Sequence, residues 1–383
     1  MNPFPKIRAL SLKAYTKYHE NFSLLHNIKK RKNKKNILLS YIISPFICPK
    51  NMQHTNQQEA LAIADVFDLL GYNIDVCYFN SRIKINYSNY NCLFGFGNAF
   101  INSFYHNNTQ KRIYYGTGMH ICHQNTATLN RVKEVYRKKG VLIPDSGRIV
   151  SNVWSEQTSL VDGMILLGNN TTADTYRTYY DGPIFTQPAS YFENTLLEDP
   201  LAKDWTQAQK HFLWFGSLGA IHKGLDLLLD IFPGFPEYHL HICGLSPNEK
   251  KFIKVYNTEL KSSNIHDHGF IDVRSTSYKN LIKKCAFVIL PSCSEGQATS
   301  LLSVMCNGLI PVLTKYCGID KQEFTIPIHT LNSDGIISVL NNLKNLSPNE
   351  CAKLAHKCLH YTREHHSIQM YKQELMKNLI KIL

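Results

Sequence analysis

Short, nearly unbroken apolar runs recur along this chain, and each leads into a stretch with helical spacing. That alternation restricts the fold more than any other feature. Ile37–Ile43 is such a run, as expected of a parallel strand buried on both faces. Gln57–Leu70 has helical periodicity and stops at Gly71, a residue suited to the position just past a helix. Asn73–Phe79, Cys92–Gly97, Arg112–Gly116 and Gly163–Leu167 read as further strands, with helices expected over Thr126–Lys139 and Asn169–Tyr180. After the polar, aperiodic stretch Gln187–Gln209 a second series begins. It runs through strands at Phe212–Phe215, His239–Cys243, Ala286–Leu290 and Leu309–Leu313 and helices at Leu225–Ile231, Ser277–Lys284 and Ala298–Asn307. Asn349–Leu383 reads as two helices. Repeated β-α units imply parallel sheets with right-handed crossovers. A chain of 383 residues suits two such domains. Two α/β domains in series place a ligand cleft at the carboxyl ends of their strands.

Composition narrows the class. Hydrophobic residues make up 44% and charged residues 19%, which argues against a disordered chain. The net charge of +13 favours anionic partners, namely nucleotide phosphates, anionic lipid or nucleic acid, and a merely basic surface accounts for it as well. No aromatic-basic motif points to nucleic acid, which is not an expected partner. Eleven cysteines without a CxxC pair fit free thiols in a reducing compartment. His120, Cys122 and His123 match no standard zinc spacing, so neither metal nor cofactor is expected. No secretory signal is visible, and Ile37–Cys48 is too short to span a bilayer and contains Pro45. The expected location is cytoplasmic, with peripheral contact on the inner face of the membrane as an option. That contact would run through a leader, residues 1–35, ending in Lys29, Lys30, Arg31, Lys32, Lys34 and Lys35. Each basic residue near anionic lipid contributes about 1 kcal/mol. A solvated arm is the plainer alternative.

The stretch Ala286–Thr314 carries the most chemistry. It reads as a buried strand, a tight turn, a helix and a second buried strand. Glu295 is a lone carboxylate at the carboxyl end of the first strand, and Gly296 allows close backbone approach. The following helix would aim unpaired N–H groups at the same place, a phosphate-binding arrangement. An ordinary β-α-β unit with a capping turn is the alternative. Phe212–Leu229 repeats the strand, Gly-rich turn and helix, with Lys223 placed to meet a diphosphate as a point charge.

These residues resemble the donor-binding element of family 4 glycosyltransferases (glycosyl transferases group 1). Pro291, Ser292, Glu295, Gly296, Gly308, Pro311, Val312 and Thr314 match its pattern, with one extra residue between Gly308 and Pro311. Gly216, Lys223 and Gly224 match a second element, and Gly269, Phe270 and Ile271 are similar to the loop that cradles the base. The resemblance implies the GT-B fold: α/β, two Rossmann-like doubly wound domains facing a central cleft. It implies an acceptor-side domain over 36–190, a linker at 191–209, a nucleotide-sugar donor domain over 210–364, and a last helix, 365–383, returning to the first domain. It implies that Glu295 contacts the transferred sugar and Lys223 the diphosphate. The turn and helix start, Gly296, Gln297, Ala298 and Thr299, would hold the phosphates. Two departures stand out. The family's second glutamate, which holds the ribose, is Ser303, and the arginine expected beside Gly216 is Ser217, which leaves His222 or an arginine elsewhere to compensate. His120 follows a strand and turn and would face the reacting sugar; a structural role is equally open. His54, Thr55 and Asn56 are the acceptor-side candidates.

The implied activity is retaining transfer of a sugar from a nucleotide-diphosphate donor to a glycan or lipid-linked acceptor, in surface polysaccharide or lipopolysaccharide synthesis. A sugar-nucleotide epimerase or phosphorylase of the same fold, a non-catalytic member, and a nucleic-acid or membrane scaffold stay open.

Overall fold

A computed structural model of the chain describes residues 15–49, 52–106 and 110–383, so residues 1–14 of the expected leader lie outside the described residues. The apolar runs form two sheets. The first contains β1 (Leu24–Leu25), β2 (Lys35–Tyr41), β3 (Tyr72–Tyr78), β4 (Cys92–Gly95), β5 (Lys111–Gly116), β6 (Gly163–Leu167) and β7 (Ile184–Gln187). The second contains β8 (His211–Phe215), β9 (His239–Cys243), β10 (Ile265–Asp267), β11 (Phe287–Leu290), β12 (Ile310–Leu313) and β13 (Ile326–Pro327). Among the described residues the α-helices of seven residues or more are α1 (Thr55–Leu69), α2 (Ile121–Lys139), α3 (Asn170–Arg177), α4 (Leu225–Ile231), α5 (Thr276–Lys284), α6 (Thr299–Met305), α7 (Ser333–Leu343), α8 (Pro348–His365) and α9 (Ile368–Ile382).

The second sheet is parallel throughout, in the order β10-β9-β8-β11-β12-β13. Counted from β8, this is the 3-2-1-4-5-6 order of a dinucleotide-type fold, and its switch point lies between β8 and β11. Ligands bind at such a point because the connections leave in opposite directions there and open a crevice. The first sheet runs β1-β3-β2-β4-β5-β6-β7, parallel except for the short antiparallel β1. Its switch point lies between β2 and β4, so His54 and Thr55, at the start of α1, face the same cleft.

Local chemistry sets the element ends. His54 caps α1, accepting from the Asn56 N–H, while the Gln57 side chain reaches back to the cap. Gly140 closes α2 in the left-handed conformation, with Arg137, Lys138 and Lys139 in the last turn, where the helix dipole favours cations. Ser347 and Glu350 form a capping box on α8, with Pro348 at its first position.

Both ends of the described chain are held on the first domain. The basic segment before β2 is tied to the first domain. β1 pairs with β3, Lys29 meets Asp65 at 2.5 Å, and Arg31 grips Asp68 through two nitrogens. Lys30, Lys32 and Lys34 remain exposed. At the other end, α9 packs against the first domain rather than the second. Tyr371 shares a 2.8 Å bond with Tyr115, and Lys372 meets Asp65. Beneath that contact lies Glu59, fully buried, with the hydroxyls of Tyr41 and Tyr115 each 3.4 Å from one carboxylate oxygen. Burial pushes this carboxyl up to about 7, against the pull of the two hydroxyls. Among the described residues no helix is long and apolar enough to cross a membrane.

Candidate functional site

A cavity of about 580 Å³ opens between the two domains at the carboxyl ends of β8, β9 and β10. The second domain contributes Gly216, Ser217, Lys223, Phe270, Ile271, Thr299 and Ser303, all singled out from the sequence. The first domain contributes His54 and Thr55; Asn56 is not among the lining residues, and its backbone N–H serves the His54 cap. Most of the wall is apolar, with Phe192, Phe215, Leu245, Pro247 and Val273 beside Phe270 and Ile271. Phe270 stands 81% exposed at the rim.

Lys223 lines the base of the cavity and forms a buried pair with Glu295, Nζ to Oε1 at 2.5 Å; Glu295 itself lies just behind the lining residues. The Ser292 hydroxyl donates to the same oxygen at 3.0 Å. Arg148, from the loop after α2, reaches Oε2 at 3.6 Å. Burial alone would raise the Glu295 carboxyl, but Lys223, then Arg148 and His222, outweigh it and hold the group at about 2. Glu295 is therefore a fixed carboxylate. His222 is fully buried; its Nδ1 bonds Thr128 on α2, and Nε2 lies 3.9 Å from Glu295 with no hydrogen-bond partner. Burial pulls its pKa down to about 4, so it is a neutral ring at pH 7 and adds no cation.

Backbone geometry explains why glycines stand around this base. Gly224 has φ +69°, and a Cβ there would sit 2.1 Å from the Pro291 carbonyl oxygen. The turn after β8 is held from behind by Glu249, fully buried, whose carboxylate accepts from the N–H groups of Gly219 and Ala220 at 3.0 and 2.9 Å. Those two amides are therefore directed away from the cavity. Gly269, with φ +59°, accepts from the Gly244 N–H and shapes the loop that presents Phe270.

Several sequence expectations need correction. What approaches Gly296 is the opposite domain: a Cβ there would lie 2.7 Å from Gly118 Cα and 2.8 Å from the Thr117 carbonyl oxygen. The Glu295 carbonyl accepts from Met119 N–H, and the Gly296 carbonyl accepts from the Thr172 hydroxyl. Gln297 bonds the Ala189 N–H at 2.6 Å. Gly296, Gln297 and Ala298 thus lie outside the cavity lining, the first two in the contact between domains. Ala298 gives α6 no side-chain cap, and Thr299 at its first turn shares a 3.0 Å bond with Thr55 across the cleft. His120 does not line the cavity either. It is buried, caps α2 by accepting from Cys122 N–H, bonds Thr158 through Nε2, and stacks on Tyr179. Burial lowers its pKa to about 4. Ser303 lines the cavity, but its hydroxyl donates to the Thr299 carbonyl and accepts from Phe192 N–H. Arg148, Phe192 and Thr195 also line the cavity. Arg148 and Phe192 lie in loops and Thr195 ends a single 3-10 turn, all without periodicity or motif, so nothing local marks them.

Comparison with known proteins agrees with the frame. Residues 203–323 match the family model described as glycosyl transferases group 1. No curated protein matches the chain. Sucrose-phosphate synthase from Thermosynechococcus elongatus superposes with a TM-score of 0.64 at 9% identity, over 91% of this chain and 99% of that one. HepE of Anabaena, solved with UDP and glucose, gives 0.57 at 11% identity, over 91% and 99%. TarM gives 0.54 at 15% identity over 75% of this chain; the chain covers 54% of TarM, about half its length. At such identities the likeness establishes the fold. The fold is the GT-B arrangement, and the match to glycosyl transferases group 1 falls largely on its second domain.

Proposed function

We propose that this chain is a retaining glycosyltransferase that moves a sugar from a nucleotide-diphosphate sugar to a glycan or lipid-linked acceptor. The observation that carries this reading is Lys223 at the base of an interdomain cavity, paired with the buried Glu295 just behind it, with Phe270 and Ile271 at the rim. The group 1 match over 203–323 supports the donor side, and HepE, a protein of the same fold, holds UDP and glucose. In this reading the base and ribose lie along Phe270, Ile271 and Thr195, and the diphosphate reaches Lys223. As the bond to the sugar breaks, negative charge grows on the leaving diphosphate, where a cation set in a low-dielectric pocket stabilises it most. Glu295, ionised at neutral pH, is an acceptor for a sugar hydroxyl. The acceptor enters past His54 and Thr55 and attacks from the face the diphosphate leaves, which retains configuration. Bonds across the cleft, such as Thr55 to Thr299, exclude water and limit donor hydrolysis. The apolar wall and the exposed Lys30, Lys32 and Lys34 suit a lipid-linked acceptor at the inner face of a membrane, in surface polysaccharide or lipopolysaccharide assembly.

A thermal-shift screen with nucleoside diphosphates and their sugar conjugates, followed by a transfer assay with the hits, tests this. Stabilisation by mass action is expected, with turnover lost in Glu295→Ala and Lys223→Ala. Full turnover in either folded variant would sink the assignment. One observation favours a second reading: with Ser303 at the ribose position and its hydroxyl already engaged, the chain could bind donor without turning it over. Binding without transfer across a broad acceptor panel would select it.

A further inference from the structure

We infer that Arg148 supplies, from across the cleft, the second positive charge for the donor's diphosphate, so that the phosphate site is completed by both domains. This rests on the donor reading above. Among the described residues, the arginine and lysine side chains lining the cavity are Arg148 and Lys223, one from each domain. The stem of Arg148 lies along the turn after β8: a Cβ added to Gly219 would stand 3.5 Å from Arg148 Cβ and 3.7 Å from Cδ. From there the guanidinium reaches Glu295 Oε2 at 3.6 Å, while Lys223 holds the other oxygen at 2.5 Å. Both cations therefore already converge on the Glu295 carboxylate, just behind the cavity lining.

The turn itself is short of phosphate-binding groups. Its amides at Gly219 and Ala220 are committed to Glu249, and position 217 is a serine, which carries no charge. A diphosphate at Lys223 needs a further donor, and Arg148 is positioned to be it. A guanidinium presents a planar fork that can take two phosphate oxygens at once, which an ammonium cannot. The Arg148 side chain is half exposed, so it can turn from Glu295 to an entering phosphate without unburying a charge. Donor binding then draws on both domains, and the domain contact becomes part of donor affinity.

The test is calorimetric titration of wild type, Arg148→Ala, Lys223→Ala and the double variant Arg148→Ala/Ser217→Arg. The probes are UDP, GDP and ADP, each paired with its monophosphate. Arg148→Ala should weaken the bound diphosphate by about tenfold or more, as expected for losing a hydrogen bond to a charged group. Its effect on the matching monophosphate should be smaller, and Ser217→Arg should recover part of the loss by returning a guanidinium to the same turn. Diphosphate binding lost in Lys223→Ala but unchanged in Arg148→Ala overturns the inference and leaves the donor reading standing. An equal loss for diphosphate and monophosphate also overturns it. No diphosphate binding to wild type, or binding unchanged in Lys223→Ala, overturns the donor reading and this inference with it.

Discussion

Replacing Lys223 by methionine removes the nearer cation from a buried carboxylate while keeping most of the side-chain volume. Glu295 sits at about 2 in place of 4.5. Each pH unit of that displacement is worth about 1.4 kcal/mol, so its surroundings favour the ionised carboxylate by about 3 kcal/mol. The sign follows from the depressed value: the stabilisation is fully present at neutral pH and fades as pH falls from 4.5 through about 2. Lys223 at 2.5 Å supplies more of it than Arg148 at 3.6 Å. Breaking a buried pair typically costs 3–5 kcal/mol because one charge is left uncompensated, so Lys223→Met should lose about 2–3 kcal/mol at pH 7 once Arg148 takes up part of the load. Glu295→Gln should lose a comparable amount, since it leaves Lys223 buried beside Arg148. The double variant, with both charges gone, should lose no more than either single variant, about 2–3 kcal/mol, giving a coupling of about 2–3 kcal/mol in the cycle. Urea unfolding of the four proteins at pH 7 measures this, and a transfer assay on the same samples separates folding from function. The double variant should be no less stable than either single variant, while its turnover stays lost. A coupling near zero, or a double variant as active as wild type, would refute the reasoning.

Three further outcomes are expected. Glu59 has its pKa raised to about 7 by burial, so its contribution is full below pH 4.5 and is lost as pH rises through about 7. Glu59→Gln should accordingly be more stable relative to wild type at pH 8.5 than at pH 5, by about 3 kcal/mol in urea titrations; an equal difference at both pH values would contradict this. Gly296→Ala should force Thr117 and Gly118 back, lowering turnover and enlarging the radius of gyration in small-angle scattering, and an unchanged scattering profile with full turnover would count against the contact. His120→Asn preserves the cap of α2, so kcat should stay close to wild type; a hundredfold loss of kcat would return His120 to the chemistry.

Much of the frame was legible from residue order. Buried parallel strands must be apolar along their length, and helices must repeat an apolar face, so the two β-α series appear as local periodicity. Lys223, Glu295 and the glycines around them were legible too, because each answers to a requirement of its own turn. Gly224, for instance, needs a left-handed conformation and a close approach to Pro291. The spacing around Gly308 and Pro311 carried the family likeness for the same reason.

What local order did not contain was the arrangement of one domain against the other. The sequence could tell that Gly296 tolerates a close neighbour, but only tertiary structure decided that the neighbour is Gly118. His120 stood after a strand and turn whether it faced the cleft or, as it does, capped its helix beneath Tyr179. The basic segment before β2 read as an arm until Asp65 and Asp68, more than thirty residues on, were folded against it. Arg148 is the clearest case. Its stem lies on Gly219 and its charge reaches Glu295, both in the other domain, and no pattern within its own loop could place it there. Periodicity and turn chemistry act over a few residues, whereas pairing of charges across a cleft depends on how two finished domains close. The sequence by itself determined the sheets, the turns and the residues those turns require; the tertiary structure alone decided which charges meet.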